Sequence, residues 1–369
     1  MDCTGGAGAD ASVDVGTGNL LVTTTELTLP GIAADVQLGM DFNSLLLGAG
    51  SPLPAGAGGK GWAMRVGQDT KLVANTDGTV LYLAPGGLEG LYTPISGTSN
   101  YTSPAGFKNT LVKTGTTGWT LTDHGSRAVS TFDAAGVLTT VTDRNAQPTT
   151  LSYAGGKITS ITSTRGGTSS RTATMTFTGG LLTAMAQHSD SATSRAVSYG
   201  YNTTNKHLTS ITDTAGQKTT LSWNAATGDL ASISDPSSTV VAFTYDTTHR
   251  VTSVTKGPVS GVQATTRFTY PTATQTLVAG PNTNQSQAVS VVPHITYTLD
   301  GTERVTSAVD ELGMTRSATY TPFTDVATTT TAAGGRTSTT HTANARATLT
   351  SRTSTTARPA PPASPPDPT

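Results

Sequence analysis

The sequence contains little charge. Asp, Glu, Lys and Arg make up 12% of its 369 residues, and the net charge is −1, whereas soluble proteins usually carry about 25% charged residues. A nearly neutral chain lacks the strong positive field with which proteins bind nucleic acid or anionic membrane surfaces. We therefore expect no nucleic-acid partner. Coiled coils and long helices are also excluded, because they are rich in Glu, Lys and Arg.

Cysteine and long apolar runs are scarce as well. The one cysteine, Cys3, cannot form an internal disulfide, so no disulfide framework stabilises the fold. No run approaches the roughly 18 apolar residues of a membrane span. The first residues show neither the basic nor the apolar region of a signal peptide. Two expectations remain open: a chain that begins inside a longer reading frame, and export by another route.

Threonine and glycine take the place of the missing charge. Threonine makes up about a fifth of the chain, and there are 40 glycines. Thr is β-branched and favours strands, while Gly favours turns. The composition therefore predicts a large all-β protein.

Aromatic residues recur at a regular spacing between residues 132 and 320. From Phe132 to Tyr270 their separations are 21–25 residues, and a further unit runs from Tyr297 to Tyr320 with a spacing of 23; such a period is typical of repeat architectures. We predict that they anchor the repeats structurally. They are Phe132, Tyr153, Phe177, Tyr201, Trp223, Tyr245, Tyr270, Tyr297 and Tyr320.

Each repeat is predicted to form one β-hairpin. In residues 208–223, Leu208 to Asp213 is β-rich, a turn follows, and Leu221 and Trp223 alternate with polar residues as in a half-buried strand. Asp213 and its equivalents Asp143, Asp235 and Asp310 are expected to cap the turns. A single hairpin is only marginally stable in water, so we expect the hairpins to join in a continuous ribbon with a covered apolar face.

The rest of the chain divides around these repeats. Residues 1–125 are predicted to be an N-terminal β region with a hairpin turn at Asp77-Gly78. Residues 126–323 contain the repeats, interrupted by a loop or insertion at about 271–293. Residues 324–369 form a Thr-rich and Pro-rich tail, since dense prolines do not fit a sheet.

No motif predicts catalysis, a cofactor or a metal site. The Gly-x-Gly-x-x-Gly at residues 56–61 follows prolines and lacks the strand–helix context of a dinucleotide site, so a flexible loop is expected. The six histidines never stand at ligand spacing. The repeated aspartates would suit a glycosidase carboxylate pair, but their constant position in the turns favours capping.

The repeats resemble the RHS/YD-repeat family. Tyr245-Asp246 and residues 201–213 match its repeat, and Phe132-Asp133 through Asn145 follows its aromatic-Asp-x-x-Gly-x-Leu consensus. Residues 14–20, 29–31, 42–44 and 59–62 occur in the order of the segment that often opens RHS shells. The resemblance covers about residues 11–325. It implies a spiral ribbon of antiparallel β-hairpins that forms part of an RHS-type β-shell.

The resemblance also implies a function. Such shells commonly enclose a C-terminal toxin used in competition between bacteria. We expect a non-enzymatic shell part that is secreted or at the cell surface, whose partners are the rest of the shell and the toxin cargo. The self-cleaving aspartate site of the family's downstream segment has no match in this chain.

Two other functions remain open. The ribbon would act as a binding module if exposed aromatics, with Trp223 and Tyr245 as candidates, contacted cell-wall or surface glycans. A glycosidase-like enzyme has the least support, and a pair of carboxylates about 5–10 Å apart in a pocket would favour it.

Overall fold

The computed structural model describes residues 2–4, 9–30, 35–47, 56–165, 169–188, 195–341 and 349–355. These residues form 33 β-strands and three short 3₁₀ segments, at Ser44–Leu47, Pro85–Gly87 and Val289–Val291. Every strand pairing among them is antiparallel. The all-β prediction is confirmed.

The first strands form a five-stranded sheet and a separate hairpin. In the sheet the strand order is β1-β2-β3-β6-β7, and the hairpin is β4-β5. Their bounds are β1 Asp2–Thr4, β2 Ala9–Val13, β3 Leu20–Thr24, β4 Leu27–Leu29, β5 Val36–Leu38, β6 Met40–Asn43 and β7 Trp62–Met64. Residues 9–70 are called the N-terminal segment below.

A four-stranded sheet follows, with the order β11-β10-β9-β8. It comprises β8 Lys71–Ala74, β9 Val80–Ala84, β10 Leu88–Pro94 and β11 Tyr101–Thr102. The predicted turn at Asp77-Gly78 joins β8 to β9: Gly78 has φ +86°, and Asp77 Oδ1 accepts the Thr79 amide at 2.9 Å. This sheet meets the later strands where the Leu72 amide donates to the Gly136 carbonyl.

The remaining 22 strands form one sheet in which each strand pairs with the next along the chain. This ribbon contains β12 Asn109–Thr114, β13 Gly118–Asp123, β14 Val129–Asp133, β15 Leu138–Thr142, β16 Pro148–Ala154, β17 Lys157–Arg165, β18 Ser169–Thr178, β19 Leu181–His188, β20 Arg195–Tyr201, β21 Leu208–Thr212, β22 Lys218–Trp223, β23 Leu230–Ser234, β24 Thr239–Tyr245, β25 Val251–Pro258, β26 Ala264–Thr272, β27 Gln275–Ala279, β28 Ile295–Leu299, β29 Val305–Val309, β30 Thr315–Tyr320, β31 Val326–Thr330, β32 Arg336–His341 and β33 Leu349–Thr355. The predicted antiparallel ribbon is confirmed.

The hairpin predicted from residues 208–223 is present as β21 and β22. Burial alternates along β22, where Thr219 and Leu221 are buried and the residues between them are exposed. The Asp213 carboxylate accepts the amides of Ala215 and Gln217, both at 2.8 Å. The capping role predicted for these aspartates is confirmed here and at the equivalent turns that begin with Asp143, Asp235 and Asp310.

The ribbon curves until its end returns to its beginning. The Lys108 Nζ donates to Asp325 Oδ1, which joins the residue before β12 to the turn between β30 and β31. Asp325 is almost fully buried in this contact, with 4% of its side chain exposed. The predicted spiral course therefore has a contact that closes the curve.

The predicted domain boundaries remain predictions, and the sheet runs across both of them. It begins at β12, before residue 126, and continues past residue 323 through β31 and β32. The interruption predicted at 271–293 coincides with the end of β26, the whole of β27 and a loop that follows. That loop has a small core of its own, made by Leu277, Ala279, Val289 and Val292. The Pro-rich residues 356–369 lie outside the described residues.

The main hydrophobic core lies between the N-terminal segment and one face of the ribbon, called the inner face. Phe42 and Trp62 of the segment are nearly fully buried, as are Ile158, Leu182 and Leu230 of the ribbon, and all belong to one cluster. Residues 56–61 take part in this packing: Ala57 is fully buried, and these six residues form tight turns. The expectation of a flexible loop there was wrong, because the glycines allow close packing.

Candidate functional site at the inner face of the ribbon

Most of the predicted anchor residues lie at β-bulges. At each bulge the strand register shifts by one residue, and the aromatic pairs with an aliphatic residue at or near the start of the next strand. Tyr245, for example, pairs with Val251. The residues at such shifts are Phe132, Tyr153, Phe177, Tyr201, Trp223, Tyr245 and Tyr320.

Tyr270 lies within the irregular pairing between Thr269 and Thr272, whereas Tyr297 differs from the other anchors. Tyr297 pairs regularly with Ala308, and the bulge falls two residues later at Leu299, which pairs with Val305. The turn Asp300–Arg304 sets the phase of this repeat. The spacing of Tyr297 to Tyr320 therefore placed the anchor two positions too early.

The polar groups of the anchors connect neighbouring hairpins. Except at Tyr297, each tyrosine hydroxyl, or the indole N–H of Trp223, donates to the carbonyl of the aliphatic residue at the preceding bulge. Such a bond satisfies a polar atom within an apolar layer. The donations are Tyr153 to Leu138, Tyr201 to Leu182, Trp223 to Leu208, Tyr245 to Leu230, Tyr270 to Val251 and Tyr320 to Val305, at 2.6–2.9 Å.

Three of the aliphatic residues at the bulges bind the N-terminal segment. A β-bulge disrupts the ladder and leaves a backbone group unpaired, and here the freed amides point at the segment. The Leu182 amide donates to the Ala57 carbonyl at 2.9 Å, and the Val251 amide donates to the Gly18 carbonyl at 2.8 Å. The Ile158 amide donates to the Gln68 side chain at 3.2 Å.

The segment reaches almost to the last hairpins. Thr276 Oγ1 donates to the Val15 carbonyl at 2.7 Å. At Gly16 a Cβ atom would lie 2.3 Å from the Glu303 carbonyl oxygen, so only glycine fits there. Beyond Leu299 no ribbon side chain in the described residues is a fully buried hydrophobic.

The two candidate glycan-binding residues, Trp223 and Tyr245, are half-buried in this layer. The Trp223 ring stacks on His207 at a centroid distance of 4.2 Å and meets the edge of Phe42 at 5.8 Å. Tyr245 packs against the main core. Their role in glycan binding remains a prediction.

A buried carboxyl lies at the interface between the N-terminal segment and the ribbon. Both carboxylate oxygens of Glu26 are inaccessible to solvent, and no described residue hydrogen-bonds to them; the same holds for the Tyr199 hydroxyl. Burial raises the pKa of Glu26 to about 7, from an ordinary value of 4.5. Sequence reasoning missed this residue, although it is the one acidic residue within the β-rich run 20–29.

Two acidic residues share a cavity near this interface. Glu26 and Asp213 line one cavity of about 310 Å³, but Asp213 already caps its turn through Oδ1. Among the described residues no three His, Cys, Asp or Glu side chains cluster as metal ligands. No helix in that part of the chain is long and apolar enough to span a membrane.

Comparisons with known proteins agree with the repeat pattern. Residues 226–257 match the family model described as RHS Repeat. The matched range contains β23 and most of β25, with the bulge at Tyr245 between them. The resemblance to the RHS/YD-repeat family is confirmed for this repeat. No curated protein matches the chain.

Several solved structures of toxin complexes are similar to the chain. The crystal structure of TcdB2-TccC3 without its hypervariable C-terminal region has 11% identity and a TM-score of 0.38, and the match covers 73% of this chain and 19% of that one. The TcdB2-TccC3-Cdc42 structure has 12% identity and a TM-score of 0.33, covering 88% and 19%. The Photorhabdus luminescens Tc holotoxin pore has 10% identity and a TM-score of 0.29, covering 91% and 21%.

The chain thus spans about a fifth of the length of these solved chains. At TM-scores below 0.5 the similarities establish neither a common overall arrangement nor a common function.

Proposed function

Because the chain contains an RHS repeat, we propose that it is a non-enzymatic part of an RHS-type β-shell. Its partners in this proposal are the rest of the shell and an enclosed toxin cargo, in a bacterial system that is secreted or at the cell surface. Eight of the nine predicted aromatics, together with Leu299 in place of Tyr297, are proposed to hold successive hairpins in register.

The contact between Lys108 and Asp325 carries the proposal. A ribbon that served as an open binding platform would need no contact between its ends, whereas a shell wall must curve round an enclosed volume. Here a buried carboxylate, 217 positions from its lysine partner, accepts a hydrogen bond at that closure. The inner face of the ribbon faces the chain's own N-terminal segment, and the apolar inner face of a shell wall is expected to be covered in this way.

The curvature is tested by small-angle X-ray scattering on the whole chain. The native protein should match the profile of a closed curve. Lys108→Glu places two carboxylates together and should open the curve, raising the radius of gyration. Adding Asp325→Lys to this variant restores an opposite-charge pair and should restore the native profile. An extended native profile would overturn the proposal.

Glycan binding is separated from the shell role by the variants Trp223→Ala and Tyr245→Ala. We expect both to lower the melting temperature, because both rings are packed and both donate to a backbone carbonyl. Loss of binding to a bacterial cell-wall preparation without a loss of stability would instead favour the binding module.

A further inference from the structure

Glu26 lies at the interface between the N-terminal segment and the ribbon. It lies between β3 and β4, and its backbone amide donates to the Leu38 carbonyl at 3.0 Å. The carboxyl is buried on the side that faces the ribbon, beside Tyr199 of β20. A buried carboxylate without hydrogen-bond donors is costly, whereas the neutral acid is tolerated.

The groups around Glu26 do not compensate a negative charge. The Tyr201 hydroxyl already donates to the Leu182 carbonyl, and the Tyr199 hydroxyl forms no hydrogen bond to the carboxylate; both phenols are uncharged, because burial raises the pKa of both hydroxyls. The Thr24 hydroxyl is already engaged: it donates to the Met40 carbonyl and accepts the Met40 amide, both at 2.9 Å.

Charged groups near Glu26 are few, and the closest cation has another partner. Arg65 attracts Glu26 through space, but its guanidinium is paired with Asp41 at 3.1 Å. Asp213 lines the same cavity from the ribbon side and adds negative charge. β18, which also packs against β4, carries one charged residue, Arg171, which has interactions of its own.

We propose that the protonation state of Glu26 controls how stably the N-terminal segment packs on the ribbon. The neutral acid permits this packing, and the carboxylate weakens it. This inference goes beyond the proposed shell function. It concerns the stability of the packing between the N-terminal segment and the ribbon, and it would apply whatever the function of the ribbon.

The direction of the pH effect follows from the raised pKa of Glu26. The folded chain binds this proton more tightly than the unfolded chain, whose carboxyl has an ordinary pKa near 4.5. The stabilising contribution is therefore complete below about pH 4.5 and is lost as the pH rises through about 7. Between pH 5.5 and 8.5 the equilibrium constant for exposing Glu26 should rise roughly 30-fold from this group.

The proton itself can be observed in the native chain. The sequence contains four glutamates, at positions 26, 89, 303 and 311, so selective ¹³Cδ labelling of Glu gives a simple NMR titration. We expect one resonance with a midpoint near pH 7, absent in Glu26→Gln and retained in the control Glu89→Gln, whose side chain is exposed. A Glu26 resonance that titrates near the ordinary value of 4.5 would overturn the proposal.

The effect on this interface is measured by hydrogen exchange of β4 and β5 at pH 5.5 and 8.5, corrected for the intrinsic pH dependence of exchange. Protection of these strands should fall at pH 8.5 in the native chain and in Glu89→Gln. In Glu26→Gln, where no charge can form, protection should be independent of pH. Equal protection of β4 and β5 at pH 5.5 and pH 8.5 in the native chain would show that protonation of Glu26 does not control the packing of the N-terminal segment. These outcomes leave the shell proposal untouched, since that depends on the contact between Lys108 and Asp325.

Discussion

The hairpins of the ribbon fall into two groups that share a repeat but differ in burial. The covered hairpins, β17–β27, contact the N-terminal segment through Ile158, Leu182, Val251 and Thr276. The open hairpins, β29–β32, have no such cover: every residue of β29 is only half-buried, and Val305, Ala308 and Tyr320 line an open cavity of about 350 Å³. Repeat sequence therefore sets the hairpin, while burial depends on what lies over it.

Two repeats allow this comparison at matched positions. The turn Asp246–Arg250 leads to Val251 in the covered group, and Asp300–Arg304 leads to Val305 in the open group. In both turns the arginine pairs with the aspartate at 2.7 Å and lies over the next tyrosine ring, at 4.4 and 4.7 Å. Val251 is fully buried, whereas Val305 is half-buried.

Removing the cover should have the largest effect. Phe42 is fully buried and contacts the rings of Trp62 and Trp223, so Phe42→Ala should destabilise the fold by about 3–5 kcal/mol. Urea unfolding gives the free energy. Leu312→Ala serves as the control, because Leu312 is 83% exposed and its loss should change stability by less than about 0.5 kcal/mol. Similar losses in both variants would contradict the role of the segment.

The matched valines give the next largest difference. Val251→Ala should cost about 2 kcal/mol, because it removes buried methyl groups and leaves a cavity. Val305→Ala should cost well under 1 kcal/mol, since water already reaches that side chain. Unfolding of both variants by urea measures the gap, and equal losses would mean that the two groups of hairpins do not differ in packing.

The tyrosine hydroxyls should show a smaller contrast. Tyr245→Phe removes the donor to the Leu230 carbonyl in the packed layer and should cost about 1 kcal/mol. Tyr320→Phe removes the equivalent donor to Val305, where water can replace it, and should cost less. Melting temperatures of the two variants decide the order, and a reversed order would argue against the difference in cover.

The smallest effect is expected at an exposed turn. The hydrogen bond from Arg304 holds the pKa of Asp300 below its usual range. A carboxyl with a lowered pKa stabilises the folded chain above its unfolded pKa, and this contribution is lost as the pH falls through the folded value. In Arg304→Ala the stabilising contribution of the Asp300 carboxylate should therefore be lost at a higher pH than in the native chain. Melting temperatures measured over a series of acidic pH values give the pH of this loss. At neutral pH the effect of Arg304→Ala should be smaller than that of Val305→Ala, and a larger effect would mean that this exposed turn matters more than packing.

Local features could be predicted from the sequence because they depend on neighbouring residues. The hairpin at 208–223 and the capping by Asp213 follow from strand alternation and turn chemistry. Tyr297 was misplaced because the spacing between aromatics does not reveal the turn that begins at Asp300, directly before which Leu299 occupies the bulge.

Long-range features could not be predicted. The Val251 amide meets Gly18, and Thr276 meets Val15, across more than 200 residues of sequence. No periodicity within either segment specifies such a contact. The environment of Glu26 was hidden for the same reason, since its neighbour Tyr199 is supplied by a distant strand.

Hydrogen exchange of the native chain tests the central claim most directly. Amides of β23–β25 should exchange more slowly than those of β29–β31, because the N-terminal segment covers only the former. In Phe42→Ala the protection of β23–β25 should fall toward that of β29–β31, while β29–β31 stays unchanged. Equal protection of the two groups in the native chain would contradict the claim that the segment stabilises the ribbon by covering its inner face.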